Sequence, residues 1–90
     1  MENVIVISSS SSAADTLSDF IKESFDCQVT IAESARHARG IISRCRSFEL
    51  VIINSPLADE AGIELAEYVA EVTAASCVVL VRIGFSTFNT

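Results

Sequence analysis

The sequence contains no tryptophan, one proline, three glycines, one histidine and three cysteines in 90 residues. So little glycine and proline excludes a fibrous or low-complexity chain. The lone His37, with Cys27, Cys45 and Cys77 far apart and no Cys-x-x-Cys, leaves no ligand set for zinc or another metal. No apolar run approaches the length of a membrane span. The opening MENVIVISSSSS lacks the basic start and long apolar stretch of a secretory signal. We therefore read the chain as cytoplasmic, with reduced and buried thiols. Bases are scarce too: six against twelve acids give a net charge of −6. That balance makes a nucleic-acid backbone or an anionic membrane a poor partner.

What is present is apolar. Half of the residues are hydrophobic and one fifth are charged, which fits one small globular domain. Four β-branched runs stand out, at 3–8 (NVIVIS), 27–32 (CQVTIA), 49–54 (ELVIIN) and 77–82 (CVVLVR). The first, third and fourth are continuously apolar, as in parallel strands covered on both faces, while the second alternates like an edge strand. Three segments of helical period lie between them. Ala14, Leu17, Ile21 and Phe25 form the first stripe, after a capping box at Ser12-x-x-Asp15. Ala38, Ile41, Ile42 and Cys45 form the second, with Ser34 as N-cap. Ile63, Ala66, Val69, Ala70 and Thr73 form the third, opposite Glu60, Glu64, Glu67 and Glu71. Asp59 and Glu60 are expected in the opening turn of that third helix, where acids suit the macrodipole.

The order β-α-β-α-β-α-β with short connections predicts an α/β fold: a doubly wound parallel sheet with strand order 2-1-3-4. Ligand sites in such sheets lie beyond the C-terminal strand ends, where the winding reverses. That places any site between residues 8–12 and 54–57. Ser8, Ser9 and Asn54 are found there, none of them ionisable near neutral pH. Ser10, Ser11 and Ser12 make a candidate anion-binding loop at a helix N-terminus. The glycines of a P-loop or dinucleotide fingerprint are missing, as is a Gly-x-Ser-x-Gly elbow. His37 sits in the second helix, beside the edge strand, away from Ser8 and Ser55. No enzyme activity and no cofactor are expected. Four of the six bases, Arg36, Arg39, Arg44 and Arg46, fall in or just after the second helical segment. The third segment is acidic, so a basic helix of one copy could meet an acidic helix of another.

The β-α order, the strand FELVIIN (48–54) and the following SPLADEAGIELA (55–66), with Pro56 and Gly62 in comparable places, resemble the receiver domain of bacterial response regulators. The resemblance covers residues 3–81, within a receiver-like domain at 1–82 followed by a tail at 83–90. The Asn with SPL and DE is similar, more narrowly, to the degenerate receivers attached to ANTAR antiterminator domains. The resemblance implies a flavodoxin-like receiver topology, Mg²⁺ held by an acidic pair, and phosphorylation of an Asp. Here the acidic pair falls on Ser8 and Ser9, the phosphoacceptor on Asn54, and the switch Thr/Ser near Val81. The sequence stops before the usual fifth strand and helix, and the output domain is missing from these residues. The expectation is a pseudo-receiver of two-component signalling and transcription regulation, outside the phosphorelay chemistry. It would act through a protein partner or as a dimer, with Phe85 and Phe88 folding over the exposed edge or onto a second copy. A small anionic-ligand sensor built on the serine loop is the alternative.

Overall fold

The computed structural model describes residues 2–45, 47–55, 57, 59 and 61–80. Seven elements follow in the expected order: β1 (Glu2–Ser8), α1 (Ser11–Ser24), β2 (Cys27–Ala32), α2 (Ala35–Arg44), β3 (Leu50–Asn54), α3 (Gly62–Val72) and β4 (Ser76–Leu80). The four strands form one parallel sheet in the order β2-β1-β3-β4, as predicted. Strand limits shift by one residue at the start of β1, β3 and β4. Val81 and the tail at 83–90 lie outside the described residues, as do Pro56, Glu60 and Arg46.

Alternation along β1 divides the core. Val4 and Val6 point to one face, where Ala14 and Ile21 of α1 cover them. Ile5 and Ile7 point to the other, where they join Ala38 and Ile42 of α2 and Leu65 and Val69 of α3. Helices on both faces bury β1 from Val4 to Ser8, which explains its unbroken Val/Ile run. The same reading does not hold for β4. Among the described residues only α3 covers it, and its exposure alternates, with Val78 44% and Leu80 38% exposed on the open side.

Two helix stripes need correction at their ends. Phe25, the C-cap of α1, is 62% exposed, and Ser18 is buried in its helix instead. Cys45 is the C-cap of α2 and is exposed; Cys27 and Cys77 are half-buried, so the thiols are not all interior. Both residues fall where the chain turns away from the sheet, past the last helical turn.

The α3 stripe is rotated by about one residue. Gly62, Leu65 and Val69 face inward, while Ile63 is 59% exposed and Ala70 is exposed. The cause is a close approach at Gly62. A Cβ there would lie 2.9 Å from Cβ and Oγ of Ser55 and 3.3 Å from Cγ2 of Ile53. Only glycine lets the helix start that near the end of β3, and this contact fixes its phase. Glu64, Glu67 and Glu71 remain on the solvent side, as expected.

The acidic and basic helices meet within one molecule. α2 and α3 lie on the same face of the sheet, and the Arg39 guanidinium stacks over the Tyr68 ring at 4.4 Å. Among the described residues no helix is long and apolar enough to cross a membrane.

Candidate functional site at the strand C-terminal ends

Parallel register brings Ser8, the last residue of β1, directly beside Asn54, the last residue of β3. This is the point where the winding reverses, α1 lying on one face and α2 on the other. Ser8 is buried, at 2% exposure. Asn54 Nδ2 donates to Ser8 Oγ at 3.1 Å. Ser8 Oγ in turn donates to the Ser10 carbonyl at 3.1 Å and accepts from the Ser10 N–H at 3.2 Å. A hydroxyl offers one proton and two lone pairs, so Ser8 Oγ has its full complement of partners.

Ser10 and Ser12 are engaged locally. Ser10, not Ser12, is the N-cap of α1, its Oγ accepting from the Ala13 N–H at 3.3 Å. Oγ of Ser10 and Ser12 share a 3.3 Å hydrogen bond. No capping box forms from Ser12 and Asp15, because the helix begins two residues earlier than a Ser12 cap would set it, at Ser11. Ser8, Ser9 and Ser11, with Ala14, Asp15, Ile31 and Glu33, line a cleft of about 280 Å³ between α1 and β2. The cleft therefore opens on the β2 side of Ser8, away from Asn54. Asp15 and Glu33 give it two carboxylates and no base among its lining residues, which works against an anion.

Asp59 does not open α3. Its carboxylate accepts from the backbone N–H of Ala35 and of Arg36, each at 3.0 Å, at the start of α2. These two hydrogen bonds, Ala35's first, hold the carboxyl below the ordinary Asp value. Ser34 completes the cap, its Oγ accepting from the His37 N–H at 3.0 Å. The His37 Nδ1 accepts from the Glu33 N–H at 3.3 Å, which commits that ring nitrogen to a local turn. Nothing in the sequence pattern linked Asp59 to α2; the contact spans 24 residues. Among the described residues no three His, Cys, Asp or Glu side chains gather as a metal site would need.

No family model and no curated protein matches this chain. Solved structures do. A response regulator receiver domain protein from Clostridium thermocellum superposes with a TM-score of 0.82 at 19% identity, covering 97% of this chain and 70% of that one. A two-component response regulator from Clostridium difficile gives 0.81 at 20% identity, over 99% of this chain and 74% of its own. CheY6 from R. sphaeroides, seen in complex with the P1 domain of CheA3, belongs to a third structure, which gives 0.76 at 18% identity, over 96% and 67%. The fold is that of a receiver domain. In this receiver fold the strand ends that meet at the switch point carry a serine hydroxyl and a carboxamide.

Those groups do not fit Mg²⁺, the ion that the resemblance implies. The ion favours hard, charged oxygen ligands in an octahedral shell. Ser8 Oγ would have to give up at least one present hydrogen bond to offer a neutral, weaker donor.

Proposed function

We propose that this chain is a non-catalytic pseudo-receiver, a signalling module that acts through protein–protein contact or self-association. The observation that carries the reading is the closed network at the switch point, in which the Asn54 carboxamide donates to a Ser8 hydroxyl with no remaining capacity. An amide nitrogen is no phosphoryl acceptor of the carboxylate kind, and the pair is satisfied without an ion. The receiver fold supports a response-regulator setting, a protein partner and a cytoplasmic site. The CheY6 complex with a CheA3 domain is one instance of such a fold engaging another protein. An ANTAR-type output partner rests on the Asn-Ser-Pro-Leu and Asp-Glu residues after β3. RNA binding is not assigned to these residues, whose net charge is −6. The anionic-ligand alternative loses ground at the cleft beside Ser9, where Asp15 and Glu33 stand.

The test is an amide proton–nitrogen NMR titration with Mg²⁺ and beryllofluoride. Resonances of residues 8–12 and 54–57 are expected to stay in place. Saturable shifts confined to those residues would show a working anion site and overturn the pseudo-receiver reading.

A further inference from the structure

β2 is an outer strand of the sheet, paired on one side with β1 over its whole length, from Cys27 to Ala32, without a bulge. Its other side presents a row of backbone N–H and C=O groups. Among the described residues nothing hydrogen-bonds to that outer edge. Sheet edges are ordinarily blunted by lysine, proline or a bulge. The β2 sequence CQVTIA has none of these.

The cleft at the C-terminal end of β2 adds chemistry to this edge. Ile31 of β2 and Ala14 of α1 give it an apolar wall, and Asp15 of α1 and Glu33, just past β2, also line it. Both acidic residues are exposed, and among the described residues neither carboxylate takes a hydrogen bond or an ion pair. Parallel register puts Ile31 beside Val6, on the face that α1 covers. A residue of an added strand beside Ile31 would therefore send its side chain along the flank of α1 that carries Asp15. A long basic side chain fits there, its stem on Ile31 and Ala14 and its charge at the two carboxylates.

The same charges select the occupant. An antiparallel pair of β2 strands from two copies, in full register, sets Asp26 of each beside Glu33 of the other. Like charges directly opposite on a ladder are destabilising. A segment with a base at the Ile31 end meets no such repulsion. We propose that the outer edge of β2 takes an extended segment of a protein partner as a further strand, with a partner arginine entering the cleft between Asp15 and Glu33. Main-chain hydrogen bonds hold the segment, and the cleft chooses its side chain. This surface rests on the protein-contact reading above, for which it supplies the place of contact, but it needs nothing of Ser8 or Asn54.

The experiment adds a capped heptapeptide, Thr-Val-Thr-Arg-Thr-Val-Thr, to the whole 90-residue chain at millimolar concentration. Amide spectra should show saturable, salt-sensitive shifts at residues 27–33 and at Asp15. Glutamate in place of the peptide arginine should abolish them. Asp15→Asn and Glu33→Gln, both at exposed positions, should each weaken binding about threefold, the scale of one exposed ion pair. Methylating every second peptide nitrogen should leave binding intact in one phase and remove it in the other, because one edge of the peptide faces β2. The titration uses neither Mg²⁺ nor beryllofluoride, so this reading and the pseudo-receiver reading can fail separately. No saturable shift at β2 overturns the proposal. Equal binding of both methylated phases, or butylguanidinium binding as tightly as the peptide, overturns strand addition and leaves a site for a free cation. Shifts at 27–33 that grow with protein concentration in the absence of peptide overturn it in favour of a second copy.

Discussion

The carboxylate of Asp59 accepts from the backbone N–H of Ala35 at 3.0 Å, and so caps a helix that precedes it in the chain by a full strand. The second oxygen takes the Arg36 N–H, and Ser34 takes that of His37. The first three donors of α2 are thus satisfied by two separate segments, one local and one from beyond β3. The segment that follows Asn54 is tied to α2 by this contact. Asp59→Asn keeps one acceptor oxygen and loses the charge, so the amides of Ala35 and Arg36 should exchange hydrogen faster while those of β1 do not. Ser34→Ala should cost about 1 kcal/mol as the loss of an ordinary N-cap.

The same contact sets a pH dependence. The folded-state value of Asp59 is depressed, so its contribution is present above the unfolded carboxylate value, about 3.9, and is lost as pH falls through the lower folded value. Arg36 is the cation beside it. Protection of the Ala35 and Arg36 amides should fall in acid in the natural chain, and Asp59→Asn should remove that pH dependence.

Gly62 and Gly40 should respond oppositely to alanine. Position 62 has Ser55 at 2.9 Å from any added Cβ, and the Ser55 contact is the Cβ itself as well as the hydroxyl. Gly62→Ala should destabilise by about 1–3 kcal/mol, the range for overpacking. Gly40, inside α2, has nothing within 4 Å of the same position. Gly40→Ala should stabilise by up to about 1 kcal/mol through helix propensity. Urea unfolding of the two variants checks both signs.

The three thiols should separate by reactivity. Cys45 is exposed, and the hydrogen bond with the Ser47 hydroxyl at 3.2 Å pulls its pKa below the ordinary thiol value. Burial pushes Cys77 up. Alkylation followed by mass spectrometry at mildly alkaline pH should modify Cys45 first and Cys77 last.

The strands were legible because parallel sheets leave a local trace, the continuous Val/Ile runs of β1 and β3. Ser8 and Asn54 followed from them, since residues ending neighbouring parallel strands must lie side by side. What was not legible depends on tertiary contact. Ile63 looked like a core residue by type, but the phase of α3 is set by Gly62 against Ser55. Asp59 looked like a helix-opening acid, but its partner is 24 residues away. In a run of five serines, local pattern could not separate Ser10 from Ser12 as N-cap. The open face beside β4 was hidden for a different reason: an apolar run does not say which of its two faces is covered.

On the pseudo-receiver reading, one carboxylate at position 54 should not be enough to bind Mg²⁺. Asn54→Asp replaces a donor 3.1 Å from Ser8 Oγ with an acceptor. Ser8 could then satisfy the new oxygen only by turning its proton away from the Ser10 carbonyl, at a cost of about 1–3 kcal/mol for the group left unpaired. The variant should be less stable and should gain no measurable Mg²⁺ affinity, because Ser8 and Ser9 still offer neutral oxygens. Ser8→Asp and Ser9→Asp added to Asn54→Asp should create a Mg²⁺-dependent shift in amide spectra at residues 8–12. Mg²⁺ binding by Asn54→Asp alone would show that neutral oxygens at Ser8 and Ser9 are no obstacle to the ion.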